Sequence, residues 1–146
     1  MTHNWFECKI SYDKMMDNGM QKKVSEPYLV DALSFTEAEA RIIEEITPFI
    51  TGEFTVANIK RAKIADIFYD ESGDKWYKAK VLFVSFDESK GMEKKIPSQM
   101  LIQATDIQGA LSTLMEGMKG TLSDFEVAMI TETPLMDIFG FKVKEE

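Results

Sequence analysis

The chain matches itself when it is shifted by about 71 residues, and this internal repeat restricts its possible folds more than any other feature. The segment GMQKKV at 19–24 returns as GMEKKI at 91–96, and DIF at 66–68 returns as DIF at 137–139. Apolar character is kept where identity is lost. A unit of this length is too long for a solenoid repeat, so the sequence predicts two related halves packed together.

The predicted domain organisation follows from where the two copies begin and end. We predict a single domain over 1–146 that is made of two repeats, with repeat one at 4–69 and repeat two at 75–140. The polar segment DESGD at 70–74 is predicted to be a linker between them. The charged end at 141–146 is predicted to be a frayed tail.

Hydrophobic periodicity divides each repeat into a β-hairpin followed by a helix. Apolar residues alternate with polar ones over 6–12 and again over 77–83, which predicts strands with one buried face. Ser34 begins a Ser-x-x-Glu capping box, in which side chains satisfy free backbone N–H groups at the start of a helix. Asp106 is the predicted N-cap in the second repeat.

A long apolar stretch closes each repeat, at 54–69 and at 125–139. Pro134 interrupts the second one, so each stretch is predicted to form one long strand or two short ones. The predicted fold class is α+β. We expect an internally duplicated, pseudo-two-fold, two-layer domain with a mostly antiparallel sheet of about six to eight strands and two helices on one face.

Composition excludes most catalytic and metal chemistry. Cys8 is the one cysteine and His3 the one histidine, so the sequence offers no disulfide framework, no cysteine-based zinc site and no histidine-dependent relay. The glycines do not form a phosphate-binding loop. We therefore predict that the protein is not an enzyme and uses no cofactor and no metal. Cys8 lies on an apolar strand face and is predicted to be a buried structural thiol.

Charge and hydropathy restrict the partners and the location. The formal net charge of −8 opposes binding to the phosphate backbone of duplex DNA. No apolar run approaches the roughly 20 residues that cross a bilayer, and the start lacks the layout of a signal peptide. We therefore expect a cytoplasmic protein that binds neither duplex DNA nor a membrane.

Two tryptophans at matching positions are the most informative surface candidates. Strand alternation places each of them on the face opposite the apolar one, near lysines. The candidate interaction face consists of Trp5, Trp76, Lys9, Lys80, Lys22, Lys23, Lys94 and Lys95. Such a face could stack unpaired bases and follow their phosphates. Alternatively, each tryptophan covers the end of a sheet or packs in a seam between repeats or subunits.

Asp66 and Asp137 recur in apolar surroundings and are candidate axis carboxylates. If a pseudo-two-fold axis brings them together, they could share a proton or a cation. Strand alternation also explains them as solvent-facing residues on strands whose other face is buried. Both interpretations remain open at this point.

Three segments resemble an uncharacterised family: WFECK at 5–9, EPYLVDA at 26–32 and SFTEAEA at 34–40. The family is a domain of unknown function found in gut Bacteroidales and in their phages and mobile elements, and the resemblance covers nearly the whole chain. It implies a small intracellular protein of bacterial or phage origin. No activity is established for the family, so the resemblance assigns no functional residue.

These observations predict a non-enzymatic interaction module that binds a protein partner or self-associates. Met15, Met16 and Met20 flank the first predicted turn and offer an adaptable contact surface. The alternative is a single-stranded nucleic-acid-binding accessory protein of a phage or mobile element, in which case single-stranded nucleic acid is the partner. A small-molecule or cation site at Asp66 and Asp137 is a third hypothesis.

Overall fold

The computed structural model describes residues 4–140, which form two compact units, each with one four-stranded sheet and one helix. Unit 1 contains 4–63 and 134–140, and unit 2 contains 64–133. The elements in chain order are β1 (Trp5–Met15), β2 (Gln21–Asp31), α1 (Phe35–Ile46), β3 (Phe54–Ala62), β4 (Asp66–Phe68), β5 (Lys75–Asp87), β6 (Met92–Ala104), α2 (Ile107–Gly117), β7 (Phe125–Thr133) and β8 (Asp137–Phe139).

The strands form two sheets, so the prediction of a single sheet of six to eight strands is wrong. The order is β3-β1-β2-β8 in unit 1 and β7-β5-β6-β4 in unit 2. Both sheets are mixed, because β8 and β4 each pair in parallel while all other pairs are antiparallel. Each central hairpin has a different strand on each side, β3 and β8 in unit 1 and β7 and β4 in unit 2, and the two hairpins do not pair with each other. The α+β class is confirmed.

The core of unit 1 lies between its sheet and α1. Phe6, Cys8 and Ile10 alternate along β1 and are fully buried on the side of this helix. Ile42 and Ile46, one turn apart on α1, pack into the same cluster. The predicted strand face and helix stripe are therefore confirmed, and their burial supplies the hydrophobic stabilisation of the unit.

The core of unit 2 is built in the same way between its sheet and α2. Tyr77, Ala79 and Val81 alternate along β5 on the side of the helix. Leu114 and Met118 supply the helical part of this cluster. The second predicted apolar face is therefore confirmed as well.

Both helices begin at the residues that the sequence predicts. The Ser34 hydroxyl accepts a hydrogen bond from the Glu37 backbone N–H at 3.1 Å. The Asp106 carboxylate accepts one from the Gly109 backbone N–H at 2.7 Å. Each cap satisfies one of the N–H groups that a helix start leaves without an intrahelical partner. Local side-chain chemistry therefore determines where the chain changes from strand to helix.

The final stretch of each predicted repeat divides into two strands, which is one of the two predicted alternatives. β3 and β7 pair with the hairpin that precedes them, in unit 1 and unit 2 respectively. By contrast, β4 pairs with β6 in unit 2, and β8 pairs with β2 in unit 1. The compact units therefore have other boundaries than the repeats at 4–69 and 75–140, which stay a prediction about sequence similarity.

The two sheets carry a β-bulge at corresponding places. Pairing shifts between Lys9 and Ile10 in unit 1, and between Lys80 and Val81 in unit 2. The extra residue is an alanine of β3 in one sheet and of β7 in the other. Because a bulge bends its strand and increases the local twist, these two outer strands bend at matching positions.

The predicted linker at 70–74 is a hydrogen-bonded turn on unit 2. The Gly73 N–H donates to the Asp70 carbonyl at 2.8 Å. The Gln103 side-chain amide accepts from the Asp70 N–H and donates to the Gly73 carbonyl, both at 3.1 Å. A Cβ at Gly73 would lie 2.5 Å from Ala104 Cα, so this close approach to β6 requires glycine.

His3 and the predicted tail at 141–146 lie outside the described residues. Within 4–140, the helices have 12 and 11 residues, and neither is long and apolar enough to cross a membrane.

Candidate functional site

Trp5 and Trp76 are both buried, with exposed fractions of 8% and 4%. The Trp76 ring makes an edge-to-face contact with Tyr69, with ring centroids 5.7 Å apart, and its carbonyl accepts from the Thr133 hydroxyl. Neither tryptophan belongs to a helix-facing core cluster, in agreement with the predicted alternation. Alternation predicts the face but not whether that face is covered. The burial of both rings fits the alternative in which each tryptophan packs, and it does not fit an exposed stacking platform at these two residues.

The lysines of the candidate interaction face are all exposed: Lys9, Lys80, Lys22, Lys23, Lys94 and Lys95. Lys95 Nζ on β6 lies 3.1 Å from a carboxylate oxygen of Glu126 on the edge strand β7, across β5. Such exposed ion pairs contribute little to stability. The lysines therefore remain a charged surface, but the structure does not combine them with exposed tryptophans.

Each hairpin extends past its sheet as a two-stranded arm. Pairing of β1 with β3 ends at Tyr12, and pairing of β5 with β7 ends at Phe83. We call 13–23 arm 1 and 84–95 arm 2. Beyond these points the ladders of the described chain join only the two hairpin strands, apart from one hydrogen bond at the base of arm 2, where the Val84 N–H donates to the Asp124 carbonyl at 2.8 Å. An isolated two-stranded hairpin is marginally stable in water, so the arms are the least supported parts of the sheets.

The arms carry large apolar side chains in solvent. Met15 and Met20 in arm 1 are 63% and 67% exposed. Phe86 and Met92 in arm 2 are 62% and 63% exposed. Methionine is flexible and polarisable, and it adapts to irregular apolar surfaces. The arms are therefore chemically suited to contact another protein, as the sequence predicts for Met15 and Met20.

The candidate axis carboxylates Asp66 and Asp137 are exposed and make local contacts. Each accepts a hydrogen bond from the backbone N–H of the next residue, at 2.9 Å for Asp66 and 2.8 Å for Asp137. Asp66 begins β4 in unit 2, whereas Asp137 begins β8 in unit 1. Over 4–140, no group of three or more His, Cys, Asp or Glu residues could hold a metal ion. The shared carboxylate site stays a prediction.

Cys8 is fully buried in the core of unit 1. Burial, with a smaller contribution from the charge of Glu7, raises the pKa of the Cys8 thiol to about 12. The residue is therefore a protonated thiol at neutral pH, and the thiol form is not nucleophilic. The predicted structural role is confirmed by this burial.

Unit 2 contains a groove that the sequence does not predict. It has a volume of about 910 Å³ and lies between α2 and the chain that continues from β4. We call it the α2 groove, and its lining residues are Ile67, Phe68, Tyr69, Asp70, Glu71, Ser112, Thr113, Glu116 and Gly117. The Phe68 ring packs directly over Gly117, where a Cβ would lie 2.5 Å from the ring. Glycine therefore lets β4 pack closely against the end of the helix.

The α2 groove combines an exposed aromatic ring with carboxylates. Tyr69 is 58% exposed. Asp70 accepts hydrogen bonds from the hydroxyl and N–H of Ser72, and the hydroxyl bond is the main cause of its lowered pKa. Glu116 forms an exposed ion pair with Lys119 at 2.8 Å, and such pairs hold their partners weakly. With Glu71 as a third carboxylate, the groove has an anionic lining.

A hint of this groove lies in a difference between the repeats. Corresponding helix positions hold Arg41 and Glu45 in unit 1, but Thr113 and Gly117 in unit 2. The small side chains of Thr113 and Gly117 leave space in unit 2 that the large side chains of Arg41 and Glu45 fill in unit 1. The repeat matches alone do not locate the space, because it depends on how β4 packs on α2.

Comparison with known proteins gives a family and no activity. A search of curated proteins finds no match to this chain. The family model described as Domain of unknown function (DUF4494) matches residues 4–141, which is nearly the whole chain. The resemblance predicted a domain family of unknown function, and that expectation is confirmed. The chain therefore belongs to the DUF4494 family of domains of unknown function.

Proposed function

We propose that this protein is a non-enzymatic interaction module that binds another protein chain through arm 1 and arm 2. The main support for this proposal is that exposed apolar side chains lie on two hairpin arms that have no third strand. Binding would remove this apolar surface from water and support the strands on which it lies.

The chemistry of the arms favours a protein surface as their target. Phe86 and the methionines contribute dispersion and apolar burial, which a protein partner can match with its own apolar side chains. Alternating charges next to them, such as Asp13 and Lys23 on arm 1, face each other across the hairpin and fit a polar rim. A polar rim around an apolar centre is the usual anatomy of a protein interface.

Single-stranded nucleic acid is the weaker candidate. The exposed lysines of both arms could contact phosphates, but stacking of successive bases needs several accessible aromatic rings. The two arms carry one such ring, Phe86, and Trp5 and Trp76 are buried. The net charge of −8 also opposes binding that relies on the nucleic-acid backbone.

Site-specific photo-crosslinking tests the proposed function. A photoreactive phenylalanine derivative replaces Met20 or Met92 in the full chain, which is irradiated in the cells that produce it. Leu33 is the matched control, because it is apolar and 76% exposed but lies outside both arms. We expect protein adducts from the two arm positions and none from Leu33, and peptide mass spectrometry distinguishes a second copy from a different protein.

A second substitution shows whether the adducts depend on the arm surface. Adding Met15→Ser to the Met20 probe variant should reduce adduct yield several-fold, because the neighbouring apolar contact is lost. Nuclease-sensitive adducts would favour the nucleic-acid alternative. Equal adducts from Leu33, or none from either arm, would contradict the proposal.

We also propose that the chain arose by tandem duplication of a hairpin–helix–strand-pair unit. The repeated segments, the equivalent N-caps Ser34 and Asp106, and the corresponding β-bulges support it. On the resemblance given above, we propose a cytoplasmic protein of bacterial or phage origin, which cell fractionation of the source organism would test.

A further inference from the structure

Arg41 links α1 to two strands of unit 1. Its guanidinium donates to the Asp31 carbonyl at the end of β2 and to the Gly140 carbonyl after β8, the latter at 2.8 Å. Glu45, one turn along the helix, lies 4.0 Å from the same guanidinium. The Arg41 side chain is only 16% exposed. Unit 1 therefore has an arginine between its helix and its parallel edge strand.

The corresponding position in unit 2 has no such side chain. The buried helix positions correspond in order, with Ala38, Ile42 and Ile46 of α1 equivalent to Ala110, Leu114 and Met118 of α2. This register places Thr113 where unit 1 has Arg41, and Gly117 where it has Glu45. A threonine is too short to reach across to the strands, and Gly117 has no side chain.

The α2 groove is the space that results. Strand register confirms the equivalence of its walls, because Phe139 pairs with Val30 and Phe68 pairs with Ile102. Tyr69 follows β4 as Gly140 follows β8. The groove therefore includes the helix position of Arg41, at Thr113, and the counterpart of Gly140, at Tyr69, whereas Gln103, the counterpart of Asp31, is not part of its lining.

The charge of the groove complements a guanidinium. The three carboxylates of Asp70, Glu71 and Glu116 line it. Tyr69 offers a ring on which a planar cation can stack. Guanidinium presents a rigid fork of donors that matches a carboxylate in bidentate geometry, whereas ammonium is a compact and strongly hydrated point charge.

We propose that the α2 groove binds an arginine side chain of a partner polypeptide. The occupant takes in unit 2 the place that Arg41 takes within unit 1. The groove lies outside both arms, so this proposal and the arm-mediated function succeed or fail separately.

Peptide titration followed by two-dimensional amide NMR tests the proposal on the full chain. The probe is acetyl-Gly-Arg-Gly-amide, and the comparison peptides carry lysine or citrulline in place of arginine. We expect saturable shifts at the amides of Tyr69, Thr113 and Gly117, with a Kd of about 1 mM for a single side chain. Lysine should bind about tenfold more weakly because it loses the bidentate contact. Citrulline keeps the shape without the charge and should not saturate.

Filling the groove from within provides a variant test. Thr113→Arg should weaken binding of the arginine peptide by at least about tenfold, because the new side chain occupies the site as Arg41 does. Met115→Arg is the matched control, since it adds the same charge to an exposed position of α2 outside the groove lining and should change Kd less than about twofold.

A second variant with exposed substitutions tests the proposal even if Thr113→Arg does not fold. Glu71→Gln combined with Glu116→Gln changes two exposed side chains and should also weaken the arginine peptide several-fold. Equal binding of the arginine and citrulline peptides, or wild-type affinity in folded Thr113→Arg, would overturn the proposal. Shifts confined to residues outside the groove would overturn it as well.

Discussion

Removing the Arg41 guanidinium should loosen the parallel edge strand of unit 1. Arg41→Met keeps the apolar stem but removes the donors to the Asp31 and Gly140 carbonyls. Losing a charged donor costs about 1.5–3 kcal/mol per hydrogen bond when the acceptor stays buried. Because the side chain is 16% exposed, water replaces part of this interaction, and the Glu45 pair at 4.0 Å adds little. We expect a net loss of about 2 kcal/mol.

Hydrogen exchange measures this loss at β8 itself. The Met136 N–H donates to the Pro27 carbonyl at the start of the β8 pairing, so its exchange reports the opening of that strand. A loss of about 2 kcal/mol corresponds to exchange about 30-fold faster in Arg41→Met. Lys60→Met is the control, because Lys60 is 64% exposed and pairs with Glu7 at the surface. Its effect should stay below about twofold.

If Met136 exchanges at the wild-type rate in Arg41→Met, the guanidinium does not hold β8 in place. If Lys60→Met accelerates Met136 as much as Arg41→Met does, the effect reports general loss of charge rather than the two carbonyl contacts.

Three further predictions address local features. Ser34→Ala should lower the free energy of unfolding by about 1 kcal/mol in urea titration, whereas Thr36→Ala, outside the cap, should change it far less. Gly117→Ala should destabilise by about 1 kcal/mol despite the better helix propensity of alanine, because its Cβ would lie 2.5 Å from the Phe68 ring; an unchanged melting temperature would contradict this. Burial raises the pKa of the Cys8 thiol from its ordinary value of 9.0 to about 12. Ionisation of the thiol therefore favours the unfolded chain, and the free energy of unfolding should fall as the pH rises from 9 towards 12. A disulfide reagent at pH 8 should label Cys8 only in urea.

The features that sequence predicts correctly are local ones. The alternation that contains Phe6 and Cys8 determines which face of β1 is buried, because neighbouring strand residues point to opposite sides. Ser34 and Asp106 cap their helices through bonds that span three residues. These signals need no knowledge of the rest of the chain.

The features that sequence does not predict depend on distant contacts. Nothing within 54–69 indicates that its two strands join different sheets, because that choice depends on the edges that distant hairpins leave open. Burial of Trp5 and Trp76 likewise depends on what covers a face, not on the strand that carries it. The α2 groove needs both the packing of Phe68 on α2 and the absence of an arginine there.

The way the last strands are shared determines the order in which the units complete during synthesis. Unit 2 is one continuous stretch, 64–133, whereas unit 1 needs both 4–63 and 134–140. On the ribosome, every strand of unit 2 emerges before β8. Unit 1 therefore begins first but is completed after unit 2, whereas domains usually complete in order from the N-terminus during synthesis. Until β8 emerges, the outer edge of β2 at 28–30 has no partner strand. During that time this edge is open to pairing with strands of other nascent chains on the same messenger RNA.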